Sequence, residues 1–268
     1  MGRKKRLIAG GLLTAAALVC AGIGVSRYLE EAWAGRNYEA LRDQVKKEIP
    51  QPTEAPENGG TGESKTASES SGKPVEIPID FETLTRENPD VYAWIQIPGT
   101  QVDYPILQSS EDDSYYLTHT IDGEEKTEGA IYTEQLNNKD FTDPNTVIYG
   151  HNMRNESMFG SLHWYEDREF FDENRELTIY LPDKILHYRI FAAYVYDNRH
   201  ILQSFDFTNK TEYQGYLDSI FALKSVSNNI DTSAEVDSDD RIVTLSTCNA
   251  GRDEERYLVQ AVLISIES

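Results

Sequence analysis

Cysteine is scarce in this sequence of 268 residues, which contains only Cys20 and Cys248. Cys20 lies inside an apolar N-terminal stretch, and if that stretch spans a membrane, the two sulfurs cannot pair. Cys248 is then a lone thiol on the outer side of a membrane, where cysteines usually form disulfides. A left-over cysteine in an exported protein is either a thiol that seeks a partner or a nucleophile. The preceding residues, Thr244-Leu245-Ser246-Thr247, favour the nucleophile.

Basic residues are also few, because 25 Lys and Arg stand against 46 Asp and Glu, for a net charge of −21. Residues 1–49 contain nine basic and five acidic residues, whereas the remainder contains 16 basic and 41 acidic residues. Nucleic-acid binding depends on neutralising phosphates with Lys and Arg, so this composition argues against a nucleic-acid-binding domain. The acidic charge indicates solubility, with an attraction for cationic partners as the alternative.

Long apolar runs are restricted to residues 7–25, nineteen residues without a charge. A run of that length is roughly sufficient for a transmembrane helix. The basic residues in the tail formed by residues 1–6 predict that this tail is cytoplasmic. The rest of the chain is then extracytoplasmic. The alternative is a cleaved signal peptide, for which Ala32-Trp33-Ala34 resembles a cleavage site.

Residues 26–75 contain little that could form a core. Glu30 to Glu48 could be a helix that acts as a juxtamembrane stalk. Pro50 to Pro74 is rich in Pro, Gly, Ser, Thr and Glu, a composition typical of a disordered linker. The sequence therefore predicts one globular domain over residues 76–268, held away from the membrane by a tether.

This domain is predicted to be mainly β with peripheral helices. A helical apolar stripe predicts a long helix over Thr211 to Val226, before the last two strands. Many short strands with few helices argue for a barrel or a sandwich rather than a doubly wound sheet. The predicted strands are Val91–Ile97, Val102–Leu107, Gly129–Thr133, Thr146–Tyr149, Leu177–Leu181, Ile185–Tyr196, Arg241–Cys248 and Arg256–Ile266, and a short helix is predicted at Asp80–Leu84.

Cys248 ends the predicted strand Arg241–Cys248. Side chains alternate along a strand, so Ser246 and Cys248 share one face. A seven-residue polar loop is expected at Asn249 to Glu255, and Arg256 opens the next strand. If the two strands pair antiparallel, the guanidinium lies near the thiol, where it favours the thiolate. It can also donate to a carbonyl oxygen that becomes an oxyanion.

A cysteine nucleophile needs a proton partner, usually histidine, and the chain has five histidines. His151 is favoured because it follows the apolar segment Val147-Ile148-Tyr149 and Gly150. Such strand exits are common places for catalytic groups. His119 is its main rival. The remaining three, His163, His187 and His200, are expected to be ordinary helix, strand and loop residues.

Together these residues resemble a sortase. The segment Thr244–Cys248, with Tyr149-Gly150-His151 before it, Arg256 after it and an N-terminal anchor, is similar to the sortase pattern. The resemblance covers about residues 76–268. The segments that point to class B are Asn88–Val91, Trp94–Thr100, Asp103–Pro105, Ser157–Gly160 and the long helix before the final strands.

The resemblance implies an eight-stranded sortase-type β-barrel with additional N-terminal helices. It also implies a membrane-anchored cysteine transpeptidase, in the cell membrane of a Gram-positive bacterium, that acts on surface proteins. Such an enzyme cleaves an NPxTx-like C-terminal sorting signal after Thr and transfers the acyl group to an amine of peptidoglycan or its precursor. By position, Cys248 is the nucleophile, His151 the acid and base, and Arg256 the substrate and oxyanion partner, while Leu117 and Ser246 match positions that line the sorting-signal groove. This chemistry needs neither a metal nor an organic cofactor, and no spacing typical of metal ligands occurs in the chain.

One departure from class B and three alternative functions stay open. The loop between Cys248 and Arg256 is shorter than in many class B members and contains a second arginine, Arg252. Arg256 is preferred because it starts an apolar strand. The acidic residues Asp253-Glu254-Glu255 form a solvated loop or attract a cationic acceptor.

The alternatives are a pilin polymerase with a lysine acceptor, a cysteine peptidase that uses water, and a membrane-tethered binding module without activity. The order of His before Cys argues against papain-like and NlpC-like peptidases.

Overall fold

The computed structural model describes residues 37–47, 75–223, 228–249 and 252–268. The predicted cytoplasmic tail, the predicted anchor over residues 7–25 and the linker over residues 50–74 lie outside these ranges. Within the described ranges, no helix combines the length and the apolar character that crossing a bilayer requires.

Short strands with few helices make up the described part of the chain. The strands are Val91–Gln96 (β1), Asp103–Leu107 (β2), Ile131–Tyr132 (β3), Asn145–Tyr149 (β4), Glu176–Tyr180 (β5), Ile185–Asp197 (β6), Asn229–Ile230 (β7), Ile242–Asn249 (β8) and Arg252–Glu267 (β9). The α-helices are residues 37–45 (α1), Phe81–Glu87 (α2), Tyr115–Thr118 (α3), Arg168–Glu173 (α4), Ile201–Ser204 (α5) and Lys210–Phe221 (α6), with a 3₁₀ helix at Gly160–Glu166.

Eight of these strands close into a barrel. They are hydrogen-bonded in the order β5-β1-β2-β3-β4-β8-β9-β6, and β6 pairs with β5 to complete the ring. The pairs β2–β3 and β4–β8 are parallel, and the other pairs are antiparallel. The short β7 adds to the second half of β6, outside the ring. The predicted eight-stranded barrel with peripheral helices is confirmed, and its mixed pairing brings distant segments together at one end.

The barrel wall separates two hydrophobic clusters. Val243 and Leu245 of β8 belong to the cluster inside the barrel. Ile242 belongs to a second cluster, which lies outside the wall under α5 and α6. This alternation follows from the two-residue period of a strand. It places the face that carries Ser246 and Cys248 outside the barrel wall.

Helix α2 has the ends expected from its sequence. The Asp80 carboxylate accepts a hydrogen bond from the backbone N–H of Thr83 at 3.1 Å, which caps the first turn. The Asn88 backbone N–H donates to the carbonyl oxygen of Leu84 at 2.8 Å and closes the last turn. The short helix predicted at Asp80–Leu84 is therefore confirmed, and it extends to Glu87.

Helix α6 is shorter than the sequence predicts. It begins after Asn209, whose side chain accepts from the backbone N–H groups of Thr211 and Glu212, and it ends at Phe221 instead of at Val226. The helix stops where burial stops, because Ile220 is buried whereas Leu223 is 36% exposed. Propensity alone cannot sustain a helix turn that has no core to pack against.

Residues 37–47 pack against the barrel, although the sequence places them in a stalk. Tyr38 and Leu41 of α1 are buried in the main cluster. The Tyr38 hydroxyl donates to the carbonyl oxygen of Gly129 at 3.2 Å. Lys46 Nζ lies 2.5 Å from the carboxylate of Asp103 on β2. The described part of this segment therefore contributes to the domain core.

The polar loop expected at Asn249 to Glu255 is wrong in length. Strand β9 begins at Arg252, and Asn249 and Arg252 are paired positions of β8 and β9. Glu255 also pairs with Asp197 of β6, so the charged stretch continues the barrel wall. A strand is predicted from alternating apolar residues, and a run of charged residues has no such pattern. Its backbone pairing is determined by the neighbouring strands instead.

Candidate active site

The parallel pairing of β4 and β8 brings His151 and Cys248 to the same end of the barrel. Tyr149 of β4 is paired with Ser246 of β8. His151 and Cys248 each lie two residues further along, so they occupy matching positions. The backbone N–H of Gly150 donates to the carbonyl oxygen of Ser246 at 3.2 Å and extends the pairing toward both residues.

Gly150 is required by close packing at the exit of β4. A Cβ atom at this position would lie 2.5 Å from Cδ1 of Ile131 and 2.7 Å from the ring of Phe159. The loop that follows folds back, because the backbone N–H of Phe159 donates to the carbonyl oxygen of His151 at 2.9 Å. Met158 and Phe159 are fully buried and anchor this loop in the core. The segment Ser157–Gly160 thus fixes the backbone of His151.

The antiparallel pairing of β8 and β9 puts Arg256 opposite Cys248. The two residues are paired positions, and the register shifts directly after Cys248. Arg252 instead lies beside the carboxylate of Glu255, with Nη1 3.0 Å from Oε2, and its side chain is 65% exposed. Of the two arginines, Arg256 is therefore the one directly across the ladder from the thiol.

One cavity of about 240 Å³ joins all five residues that the sequence singled out. Its walls combine the barrel end, the end of β6 and the loop before α5, which follows β6 directly. Cys248 is a free and exposed cysteine there. The cavity is lined by Leu117, His151, Ser246, Cys248 and Arg256, together with Tyr132, Tyr149, Gly150, Tyr196, Asn198, Arg199, His200, Ile201, Thr247 and Leu258.

The His151 imidazole is oriented by α3. Its Nε2 atom lies 2.6 Å from the backbone carbonyl oxygen of Leu117. A carbonyl oxygen only accepts, so Nε2 carries the hydrogen and donates it. Leu117 therefore contributes its exposed side chain to the cavity and its carbonyl group to the orientation of His151.

A partly buried acid, Glu134, fixes a histidine of the cavity wall. Glu134 accepts a hydrogen bond from Nε2 of His200 at 2.6 Å, and His200 Nδ1 accepts from the backbone N–H of Gln203 as the cap of α5. Burial raises the pKa of Glu134, which His200 partly offsets. Burial, and then the charge of Glu134, raise the pKa of Tyr149 well above its usual value. The cavity wall therefore includes a phenol that stays neutral and an imidazole that Glu134 holds in place.

His119 and His187 lie in different surroundings from His151. His119 ends α3 and stacks on Tyr115, with ring centroids 4.0 Å apart. His187 lies 2.8 Å from the carboxylate of Glu267 on β9, near the far end of that strand from Arg256. Of the two rival histidines, His151 is the one that lines the cavity with Cys248.

Comparisons with known proteins agree with this geometry. Residues 95–264 match the model of the sortase domain. The chain belongs to the sortase family. It is 34% identical to sortase B of Listeria monocytogenes over 198 residues, which are 71% of this chain and 76% of that protein. The structure matches sortase B of Clostridium perfringens with a TM-score of 0.61 at 31% identity, covering 69% of this chain and 100% of that one. It matches a Staphylococcus aureus sortase B–substrate complex with a TM-score of 0.61 at 30% identity, covering 69% of this chain and 84% of that one.

This sortase is a cysteine transpeptidase, and its relatives are of the sortase B type. Among the described residues, no group of three or more His, Cys, Asp or Glu side chains could hold a metal ion. The side chains that line the cavity include one thiol, two imidazoles and two guanidinium groups.

Several residues around the site of this sortase were not found from the sequence. His200, which lines the cavity, and His163, which contacts the backbone of Cys248, were expected to be ordinary loop and helix residues, and Asn152 was not singled out. These residues come from segments that only the closed barrel brings together. The one local signal is that Asn152 directly follows His151.

Proposed function

We propose that Cys248, His151 and Arg256 carry out a two-step acyl transfer on an NPxTx-like C-terminal sorting signal. The observation that supports this proposal is their convergence on one cavity from β4, β8 and β9. The acyl group passes to an amine of peptidoglycan or its precursor. The substrates are surface proteins that carry the signal.

The sorting signal binds in the cavity, with Leu117 and Ser246 lining its path. Leu117 is 43% exposed and offers apolar surface to the peptide. Ser246 lies two residues before Cys248, on the same face of β8. The similarity to a sortase B solved as a substrate complex supports a peptide in this position.

In the first step, the Cys248 thiolate attacks the carbonyl carbon of the signal's threonine. Arg256, across the ladder from Cys248, donates to the oxygen that gains charge. The C–N bond then breaks, His151 gives its proton to the leaving amine, and a thioester remains on Cys248. The imidazole leaves the Leu117 carbonyl when it turns toward the substrate.

In the second step, an amine attacks the thioester carbon. His151, now neutral, takes a proton from this amine, and the C–S bond breaks to release the thiolate. A new amide joins the surface protein to the acceptor. The cycle ends with the same protons on the enzyme as at its start.

The proposed place of this reaction is the outer side of a cell membrane. Residues 7–25 form the anchor, the basic tail over residues 1–6 lies in the cytoplasm, and the catalytic domain is extracytoplasmic. The anchored enzyme and a sorting signal that has its own apolar segment are then both held in the membrane, where they encounter each other by diffusion in its plane. Fractionation of cells that express the full-length protein, with protease added from outside, tests this topology.

The function is tested with the full-length protein, a quenched fluorescent peptide that contains an NPxTx-like motif, and an amine. The wild-type protein is expected to cleave the peptide and to form the amide product, and Cys248→Ala is expected to do neither. Transfer by Cys248→Ala at the wild-type rate would overturn the proposal. The matched control is Ser265→Ala, a hydroxyl removed at the far end of β9, which is expected to retain full activity.

The acceptor is identified by competition in the same assay. A peptidoglycan stem peptide, a lysine-containing pilin-type peptide and water are offered together, and the products are separated by mass. We expect the stem-peptide amide to dominate. Dominance of the lysine product would instead indicate a pilin polymerase, and dominance of the free acid would indicate a peptidase.

A further inference from the structure

Two side chains converge on the backbone carbonyl oxygen of Cys248. Nδ2 of Asn152 lies 3.0 Å from this oxygen, and Nε2 of His163 lies 3.1 Å from it. The two nitrogens also lie 3.0 Å from each other. The three atoms therefore form a closed triangle around the backbone of the proposed nucleophile.

These side chains reach Cys248 from the side opposite the cavity. The His163 ring stacks on Tyr257, with centroids 4.7 Å apart and planes at 25°. Tyr257 belongs to the cluster inside the barrel, whereas the cavity lies on the outer face, with Ser246 and Arg256. A substrate in the cavity can thus contact the thiol while the carbonyl group stays held from behind.

The β-ladder does not hold this peptide group in a regular way. The register of β8 and β9 shifts between Cys248 and Asn249. Because a peptide group is planar, fixing its carbonyl oxygen also fixes the direction of the N–H of the next residue. The contacts from Asn152 and His163 therefore orient the backbone at the point where ladder pairing becomes irregular.

The protonation of His163 decides which contacts in the triangle are hydrogen bonds. A neutral ring that donates from Nδ1 to Glu166, 2.7 Å away, accepts at Nε2 from Asn152, and its contact with the carbonyl oxygen joins two acceptors. A charged ring donates from both nitrogens, to Glu166 and to the Cys248 carbonyl. In that state Asn152 and His163 are two donors to one oxygen, and the 3.0 Å contact between their nitrogens joins two donors.

We propose that Asn152 and His163 are positioning residues that hold the Cys248 backbone in its reactive orientation. The inference rests on the proposed role of Cys248 as the nucleophile. The titratable groups that face His163 are Glu166 on its own helix and the Tyr257 phenol on β9. Burial raises the pKa of Tyr257 well above its usual value, so this phenol stays neutral near neutral pH.

The sign of the pH dependence follows from these contacts. Only the charged imidazole donates to the Cys248 carbonyl, so the contribution of this bond to kcat is present at low pH and is lost as the pH rises.

The test measures kcat and KM of the full-length protein from pH 5 to 9, with the quenched sorting-signal peptide and an amine acceptor. His163→Ala is expected to lower kcat about 10- to 100-fold with KM nearly unchanged, since misplacing a reacting group has costs of this size. Asn152→Ala is expected to lower kcat less. His163→Gln can donate to the carbonyl without titrating, so it should restore most of kcat and flatten the His163-dependent part of the profile.

A control variant makes the test specific. The matched control is His187→Gln, which alters a similar His–Glu pair, His187 with Glu267, away from the cavity. This control should keep the wild-type profile.

Distinct outcomes separate this inference from the proposed function. If Cys248→Ala is inactive but His163→Ala keeps the wild-type kcat and pH profile, the positioning role is wrong and the function stands. If His163→Gln is as impaired as His163→Ala with no change in profile shape, His163 only packs against Tyr257 and the inference is also wrong. Activity of Cys248→Ala would overturn the proposed function itself.

Discussion

Strand β8 has two faces that differ in their chemistry. The inner face carries Val243 and Leu245, which are fully buried in the barrel. The outer face carries Thr244, which belongs to a buried polar network, and Ser246 and Cys248, which line the open cavity. The comparison indicates that the inner face sets the shape of the barrel, while the outer face uses that shape to place reactive groups. Mutations on the two faces should therefore affect different measurements.

The largest effect is expected from the inner face. Leu245→Ala removes a side chain that is 0% exposed and should lower the free energy of unfolding by about 2–5 kcal/mol. Urea denaturation measures this change. Each molecule that stays folded should keep wild-type kcat. The matched control is Ile264→Ala on β9, which is 61% exposed and should change stability by less than about 0.5 kcal/mol. Equal losses in both variants would contradict the account.

Arg256 should separate activity from stability on the outer side. Arg256→Ala removes the donor proposed for the oxyanion, and loss of one such donor lowers kcat about 10²- to 10³-fold, or about 2.7–4 kcal/mol of transition-state stabilisation. The unfolding free energy should change little. Steady-state kinetics and urea denaturation of the same samples check both statements. Arg252→Ala, which removes an exposed guanidinium that pairs with Glu255, should retain activity, and the opposite ranking would transfer the role to Arg252.

The pairing of β8 with β9 was the part of the site that could be predicted from sequence. Adjacent strands joined by a short turn usually pair, so Arg256 was placed near Cys248 before the structure. The parallel pairing of β4 with β8 joins Tyr149 to Ser246, and no local pattern encodes a contact over that distance in the chain. His151 was instead found by its strand exit and by the sortase resemblance.

Errors arose where tertiary pairing outweighs local composition. The charges at Arg252–Glu255 suggested a loop, but β6 and β8 pair with them as a strand. The apolar stripe of α6 suggested a longer helix, but burial ends near Phe221. The contact of Asn152 and His163 with Cys248 was not predicted, because it is made with a backbone carbonyl, and no sequence pattern identifies the neighbours of a backbone group.

The outer face of β8 also contains a buried polar network. Nε2 of Gln260 donates to the Tyr216 hydroxyl at 2.7 Å and to Oγ1 of Thr244 at 2.8 Å. The Thr244 hydroxyl donates to Oδ1 of Asn145 at 2.8 Å, and the Tyr194 hydroxyl donates to Oε1 of Gln260 at 3.2 Å. These bonds join β4, β6, β8, β9 and α6 below the cavity.

Removing one hydroxyl from this network should have a moderate effect. Thr244→Val keeps the shape of the side chain but leaves Asn145 without this donor, and should lower the free energy of unfolding by about 1–3 kcal/mol. Thr244→Ser keeps the hydroxyl and is the control. Urea denaturation of both variants decides the question, since a larger loss in Thr244→Ser would mean that the methyl group, and not the hydroxyl, matters there.

The smallest expected change at neutral pH concerns the buried tyrosines, which lie on both sides of the barrel wall and affect stability only at alkaline pH. Burial raises the pKa of Tyr216, outside the wall, to about 12, and raises that of Tyr257, inside the wall, further. The neutral phenol is favoured in the folded state. This stabilisation is fully present below pH 10, the ordinary pKa of tyrosine, and is lost as the pH rises from there through the folded-state pKa.

Alkaline titration checks this sign. The midpoint of urea denaturation should fall steadily above pH 10. The phenolate absorbance of the buried tyrosines should appear only as circular dichroism reports unfolding. A full phenolate signal from a protein that remains folded would show that these tyrosines ionise in place.

Trapping the acyl group on the enzyme tests whether the outer face of β8 delivers the nucleophile. The full-length protein is mixed with the sorting-signal peptide without an amine, quenched in acid and digested for mass spectrometry. We expect a thioester on the fragment that contains Cys248, which added amine converts into the amide product. Amide formation with no adduct on Cys248, or with the acyl group on another residue, would show that Cys248 is not the nucleophile.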